Sequence, residues 1–189
     1  MLKLNDKDHS IVDLDIAIIG GGSAGITLAT KLSHCSAVVV EPRTPAERDC
    51  SWALWADNPQ QQQFAAATKG SWRQWRLIDD HSEVIHSSDH YRYTSLSSAQ
   101  YMTQCERALP AGIHLVRAKA ENVVAAGKGC SFTASGQHHT AAPPSDSRPP
   151  TMAEPNLQQP FLGWEISSTA ALEDPHIPTQ LHFRGGQSR

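Results

Sequence analysis

Gly20-Gly21-Gly22-Ser23-Ala24-Gly25 satisfies the pattern G-x-G-x-x-G through Gly20, Gly22 and Gly25. The chemistry such a turn serves is the binding of a diphosphate. The first glycine allows a tight turn out of a strand, and the second lets the backbone approach the anion closely. The third lets the following helix pack against the strand. Unpaired N–H groups and the positive end of the helix dipole then face the phosphates. Glu41 is the expected acidic partner, about 20 residues beyond the first glycine, where a carboxylate can accept hydrogen bonds from ribose hydroxyls. An acid there disfavours a 2′-phosphate, so NADP fits this pocket poorly. The candidate cofactor-binding residues are therefore Gly20, Gly21, Gly22, Ser23, Ala24, Gly25 and Glu41. The glycine spacing suits FAD and NAD alike.

Such a motif carries weight only between a strand and a helix inside a βαβ unit, and the flanking sequence supplies both. Asp13 to Ile19 ends in the apolar run Ile16-Ala17-Ile18-Ile19, which reads as a buried parallel strand. From Ser23 to Ser33, Ala24, Leu28 and Leu32 recur every fourth residue beside Ile26 and Ala29, the apolar face of a helix. Ala37-Val38-Val39-Val40 is a second buried strand, stopped by Glu41-Pro42. A helix is expected from Ser98 to Leu109, with Tyr101, Met102, Cys105 and Leu109 on one side. Ile113 to Ala118 reads as a third strand, and Asn122–Ala126 with Cys130–Ala134 as a hairpin.

Other reactive residues form weaker patterns. His86 and His90 would share a helix face, but their surroundings read as strand or loop, and no acid or cysteine completes a metal set. They and His138-His139 read as ordinary histidines, and no metal site is expected. Trp52-Ala53-Leu54-Trp55 suits either core packing or the wall of a greasy pocket. Cys35, Cys50, Cys105 and Cys130 show no Cys-x-x-Cys pair, which fits reduced thiols in the cytoplasm.

The 189 residues carry a formal net charge of −3, which argues against a general nucleic-acid binder. Hydrophobic residues make up 39%, enough for a core, yet no run approaches the roughly 18 apolar residues of a membrane span. Met1 to Leu14 lacks the apolar centre of a signal peptide. Six of the twelve prolines lie between Pro143 and Pro160, a composition that reads as an exposed linker. The expected organisation is a tail over 1–13, a dinucleotide-binding domain over 14–136 with an inserted substrate-side segment near 50–97, a linker over 137–160, and a β region from 161 to 189.

Several of these pieces together resemble the lycopene cyclase family of carotenoid synthesis. The matching residues are Asp15 to Gly25, Val40-Glu41-Pro42, and Asp49-Cys50-Ser51-Trp52-Ala53-Leu54-Trp55 with its Trp-x-x-Trp-like motif. Tyr91-Arg92-Tyr93 precedes the helix at a similar place. Asp146-Ser147-Arg148-Pro149 looks like the family's Asp-Ser-Arg-Pro turn. Gln159-Pro160-Phe161-Leu162-Gly163-Trp164-Glu165-Ile166 looks like its Gln-x-Phe-x-Gly-Trp-x-Ile strand, and Leu181-His182-Phe183-Arg184 lies near its Leu-Met-Asp-Phe-Arg segment.

The resemblance implies a Rossmann-like α/β flavoprotein with inserted β segments of a substrate domain. It implies FAD in the reduced form, NAD(P)H as electron donor, and lycopene as substrate, cyclised at its ends by a proton with no net redox change. A membrane-dissolved substrate implies peripheral contact of a cytoplasmic protein with the bilayer. Trp52, Trp55 and Trp164 become candidate substrate-pocket residues. The family's acidic catalytic motif lies beyond the Leu-Met-Asp-Phe-Arg segment, where this sequence stops, so no catalytic residue is carried over. A truncated, inactive N-terminal part is the expectation. The alternatives are another FAD-dependent oxidoreductase, of hydroxylase or isoprenoid reductase type, and a non-catalytic nucleotide-binding remnant.

Overall fold

The structure, a computed structural model, describes residues 12–126, 129–141, 144–148 and 179–183. The chain divides into two compact units, Met1–Cys50 with Ser98–Pro149, and Ser51–Ser97 with Pro150–Arg189.

The first unit begins with β1 (Val12–Leu14), β2 (Ile16–Ile19), α1 (Ser23–Lys31) and β3 (Ala37–Val40). In the second unit follow β4 (Ser51–Ala56), α2 (Asn58–Phe64), β5 (Thr68–Trp72), β6 (Gln74–Asp79), β7 (Glu83–Ser87) and β8 (Arg92–Ser97). The chain then returns to the first unit with α3 (Ser98–Arg107), β9 (Ile113–Val116), β10 (Glu121–Ala126), β11 (Gly129–Ala134), β12 (Gln137–Ala141) and β13 (Pro144–Asp146). The last described strand, β14 (Thr179–Phe183), belongs to the second unit.

The first unit has three layers. Its central sheet, in the order β13-β2-β3-β9, is wholly parallel. Because successive side chains alternate across a strand, Ala17, Ile19, Val38 and Val40 face one way, and Ile18, Ala37 and Val39 the other. The first set meets Phe132, Cys130, Ala134 and Ala141 of the second sheet, β1-β12-β11-β10. The second set meets Ala29 of α1 and Ile113 of β9. α1 is joined to α3 by a hydrogen bond of 2.7 Å between the Thr27 and Tyr101 hydroxyls. Burial on both faces explains why β2 and β3 read as continuous apolar runs rather than alternating ones.

Two expectations need correction. Asp13 to Ile19 is not one strand: it breaks at Asp15, whose carboxylate accepts from the Ser36 N–H (2.7 Å) and hydroxyl (2.9 Å), so β1 and β2 enter different sheets. The stretch assigned to a linker from residue 137 begins with two strands. β12 completes the antiparallel meander, and β13 pairs in parallel with β2. Pro144 is tolerated because it opens a strand at the sheet edge, where no ladder N–H is needed. The strand expected over Phe161–Ser167 lies outside the described residues.

In the second unit β4-β8-β5 is antiparallel, and β6 pairs antiparallel with β7 and parallel with β14. α2 is fixed by a capping box. The Asp57 carboxylate accepts from the Gln60 N–H at 2.9 Å, and the Gln60 side chain accepts from the Asp57 N–H at 3.0 Å.

Candidate functional site

The glycine turn connects β2 to α1 and opens on a cleft of about 470 Å³ within the first unit. Each glycine answers a local requirement. Gly20 has φ +98°, a left-handed conformation that penalises a side chain. A Cβ on Gly25 would strike the Gly20 carbonyl oxygen and come within 3.1 Å of Ile18. A Cβ on Gly21 would meet the Glu41 Cβ at 2.9 Å. Gly22 has nothing within 4 Å of that position, and it lines the cleft.

Gly22 is also the N-cap of α1. It provides no side-chain cap, and the first turn contains no acid. Ser23 and Ala24, the first helical residues, are exposed. The free N–H groups at a helix start, with no internal carboxylate competing for them, suit a bound anion.

Glu41 follows β3 directly and is 6% exposed. Its Oε2 accepts from the Gly21 N–H at 3.1 Å and lies 3.4 Å from Arg48 Nη1. Its Oε1 accepts from the Arg43 N–H at 3.1 Å. Arg48 donates from Nη1 to the Gly21 carbonyl at 2.9 Å, so carboxylate, guanidinium and glycine peptide brace one another. Burial pushes the Arg48 guanidinium below the ordinary arginine value, and Glu41 opposes that shift. Asp146-Ser147-Arg148, at the end of β13, passes over Gly20. The Ser147 N–H donates to the Ile19 carbonyl at 2.8 Å, and a Cβ on Gly20 would lie 3.3 Å from the Arg148 nitrogen. The Arg148 fork is committed to Asp146, with bonds of 2.9 and 2.6 Å. That pairing holds the Asp146 carboxyl below the usual carboxylate range.

The turn, Glu41 and the Asp146-Ser147-Arg148 segment thus meet around one cleft, with Arg48 and Lys119. Sequence spacing did not single out Arg48. It comes from a 3-10 turn (Ala46–Arg48) in a proline-rich connection, which has no periodicity to mark it.

The cleft is lined by the first unit alone, whereas Trp52 and Trp55 belong to the second unit. Trp52 and Trp55 both lie on β4, and their spacing of three puts them on opposite faces of the strand, so they do not form one wall. Trp55 shares its face with Tyr93 (5.6 Å between centroids) and packs edge-on against Trp75 (6.0 Å). Trp72 follows Tyr93 at 6.3 Å, which extends the row across β4-β8-β5. Trp164 lies outside the described residues. His86 stacks on Trp75, and His139 on Phe132. Among the described residues no group of three His, Cys, Asp or Glu side chains is placed to hold a metal ion. The four cysteines are free thiols. No helix among the described residues is long and apolar enough to cross a membrane.

The sequence model of the family described as "Lycopene cyclase protein" matches residues 15–189. The chain belongs to the lycopene cyclase family. No curated protein matches this cyclase-family chain. Its fold is shared with p-nitrophenol 4-monooxygenase PnpA from Pseudomonas putida DLL-E4 (14% identity, TM-score 0.55, 72% of this chain and 41% of that one). It is shared too with a geranylgeranyl bacteriochlorophyll reductase-like protein from Thermoplasma acidophilum (12%, 0.54, 72% and 40%). A third is a variant of halogenase PltM in complex with FAD (15%, 0.55, 71% and 34%). The cyclase-family chain thus has the α/β fold of these structures and spans less than half the length of each.

Proposed function

We propose that the cleft of this cyclase-family chain holds FAD and that the protein works on the ends of lycopene in carotenoid synthesis. The observation carrying this reading is the unobstructed phosphate turn beside a buried, oriented Glu41 in a chain of this family. The residues present fit the cofactor. The N–H groups of Gly22 and the first turn of α1 receive the diphosphate, and Glu41 receives ribose hydroxyls while Gly21 and Arg48 keep its carboxylate in place. Bound and reduced, with NAD(P)H as electron donor, the flavin supplies negative charge or a proton for a cyclisation that has no net redox change. On the substrate, a proton adds to the terminal polyene, the carbocation closes a ring, and a proton leaves.

The aromatic row Trp55-Tyr93-Trp72 supports contact with a flat hydrocarbon, replacing the pair Trp52 and Trp55 as the candidate wall. Trp55, Val84, Ile85 and Tyr91 are exposed, which suits a protein that draws its substrate from the bilayer surface. A second reading, another FAD-dependent oxidoreductase, is favoured by the monooxygenase, reductase-like and halogenase structures that share the fold.

Purified protein should show flavin absorption bands that are lost in Gly22→Val. Absence of flavin uptake in the unsubstituted protein removes the FAD reading. In a lycopene-accumulating host, a change of pigment from red to yellow assigns cyclisation. A flavin-loaded protein that leaves the pigment red turns the assignment to the oxidoreductase reading or to a nucleotide-binding protein without turnover.

A further inference from the structure

Four cations line the cleft, Arg43, Arg48, Lys119 and Arg148, against one carboxylate, Glu41. Arg43 and Lys119 are exposed, and Arg148 is held by Asp146. Arg48 differs from all three: its side chain is 8% exposed. Its Nε donates to the Thr44 carbonyl at 3.4 Å, and its Nη1 is taken by Gly21 and Glu41. Its Nη2 is buried and has no hydrogen-bond partner among the described residues. Neutralising Glu41 and holding Gly21 uses one arm of the fork only. A buried donor on a charged group that stays unsatisfied is costly, so the second arm is explained best by a partner that arrives with the ligand.

We infer that Arg48 is a ligand-binding residue of this cleft, whose Nη2 donates to an anionic oxygen of the diphosphate in the bound dinucleotide. The chemistry selects that acceptor. A desolvated guanidinium gains most from a phosphate oxygen, while the ribose hydroxyls, as donors, go to Glu41. The bond from Nη1 to the Gly21 carbonyl fixes the guanidinium beside the phosphate turn before any ligand binds, so little side-chain entropy is lost on binding. The inference rests on the proposal that the cleft takes FAD, and it assigns to Arg48 the recognition of the diphosphate.

The test uses the full chain with FAD, ADP and adenosine as probes, read by flavin fluorescence quenching and by calorimetry. Arg48→Lys keeps the charge beside Glu41 and removes the second arm. It should weaken FAD and ADP roughly 10- to 100-fold, the range of a charge-assisted hydrogen bond, and change adenosine binding less than about threefold. Unchanged FAD affinity overturns the inference. An equal loss for ADP and adenosine also overturns it, because Arg48 would then act only by orienting Glu41. If the unsubstituted chain binds neither FAD nor ADP, the cofactor reading itself fails and takes this inference with it. Should Arg48→Lys not fold, Glu41→Gln is compared with the charge-free double variant E41Q/R48M. The inference requires the double variant to lose ADP affinity relative to Glu41→Gln, and equal affinities overturn it.

Discussion

Gly22 and Gly25 sit three residues apart and face opposite constraints. Gly25 is packed: a methyl group there meets the Gly20 carbonyl and Ile18. Alanine gains up to about 1 kcal/mol of helix propensity over glycine, but the carbonyl belongs to the backbone of the turn and cannot step aside cheaply. Gly25→Ala should therefore destabilise the protein by about 1–3 kcal/mol net, measured by urea unfolding. Gly22 has φ −65° and open space around its Cβ direction, so Gly22→Ala should leave stability within about 0.5 kcal/mol. In the proposed binding mode its methyl group meets the diphosphate, so FAD affinity should fall at least about tenfold, a cost of one modest clash or lost hydrogen bond. A Gly22→Ala variant that binds FAD like the unsubstituted protein would show that the anion does not meet this turn.

At the scale of elements, β12 carries a pH-dependent strain. His139 is 4% exposed and stacked on Phe132 at 5.0 Å. Burial lowers its pKa from 6.5, the Ala134 backbone offsets this in part, and His138 adds to it. The folded state therefore holds the neutral ring while the unfolded chain takes up a proton. Stability is full above pH 6.5 and is lost as pH falls from there toward the lowered folded value, at up to about 1.4 kcal/mol per pH unit. Unfolding free energies measured between pH 7.5 and 5.5 should show this slope, and His139→Leu should flatten it. An unchanged slope in that variant would place the proton uptake elsewhere. The same strand shows what a sequence reading misses. β2, α1, β3 and α3 were legible because each buries a continuous run or a helical stripe. α3 in particular buries Tyr101, Met102 and Cys105 as its periodicity requires. β12 and β13 lie in a stretch that reads as linker, because its His, Thr and Pro residues give no apolar pattern. β12 exists because its backbone completes a sheet whose buried apolar side chains, Ala141 apart, come from other strands, and β13 because it pairs in parallel with β2. Arg48 was hidden for a related reason: a contact made by a loop side chain leaves no period to read.

At the scale of the whole molecule, the second unit enters and leaves the first at adjoining points. The Ser98 N–H donates to the Cys50 carbonyl at 3.0 Å, the Cys50 N–H donates to the Ser98 hydroxyl at 2.8 Å, and Asp49 accepts from the Ala99 N–H at 3.1 Å. Both buried apolar clusters, on either side of the parallel sheet, draw all their residues from the first unit, as does the lining of the cleft. Those bonds fix the distance a replacement connection must span, and loop closure entropy changes only by about 0.6 kcal/mol for each doubling of loop length. Replacing 51–97 by a short Gly-Ser bridge between Cys50 and Ser98, with the chain ending at Pro149, should therefore leave a cooperatively folding α/β unit. It should bind ADP within about threefold of the full chain, because no group lining the cleft has been removed. Circular dichroism, urea unfolding and calorimetry with ADP check this. A soluble product that binds ADP would assign nucleotide binding to the first unit alone. A product that folds but has lost ADP would mean that the cleft's geometry depends on the excised residues through more than its lining.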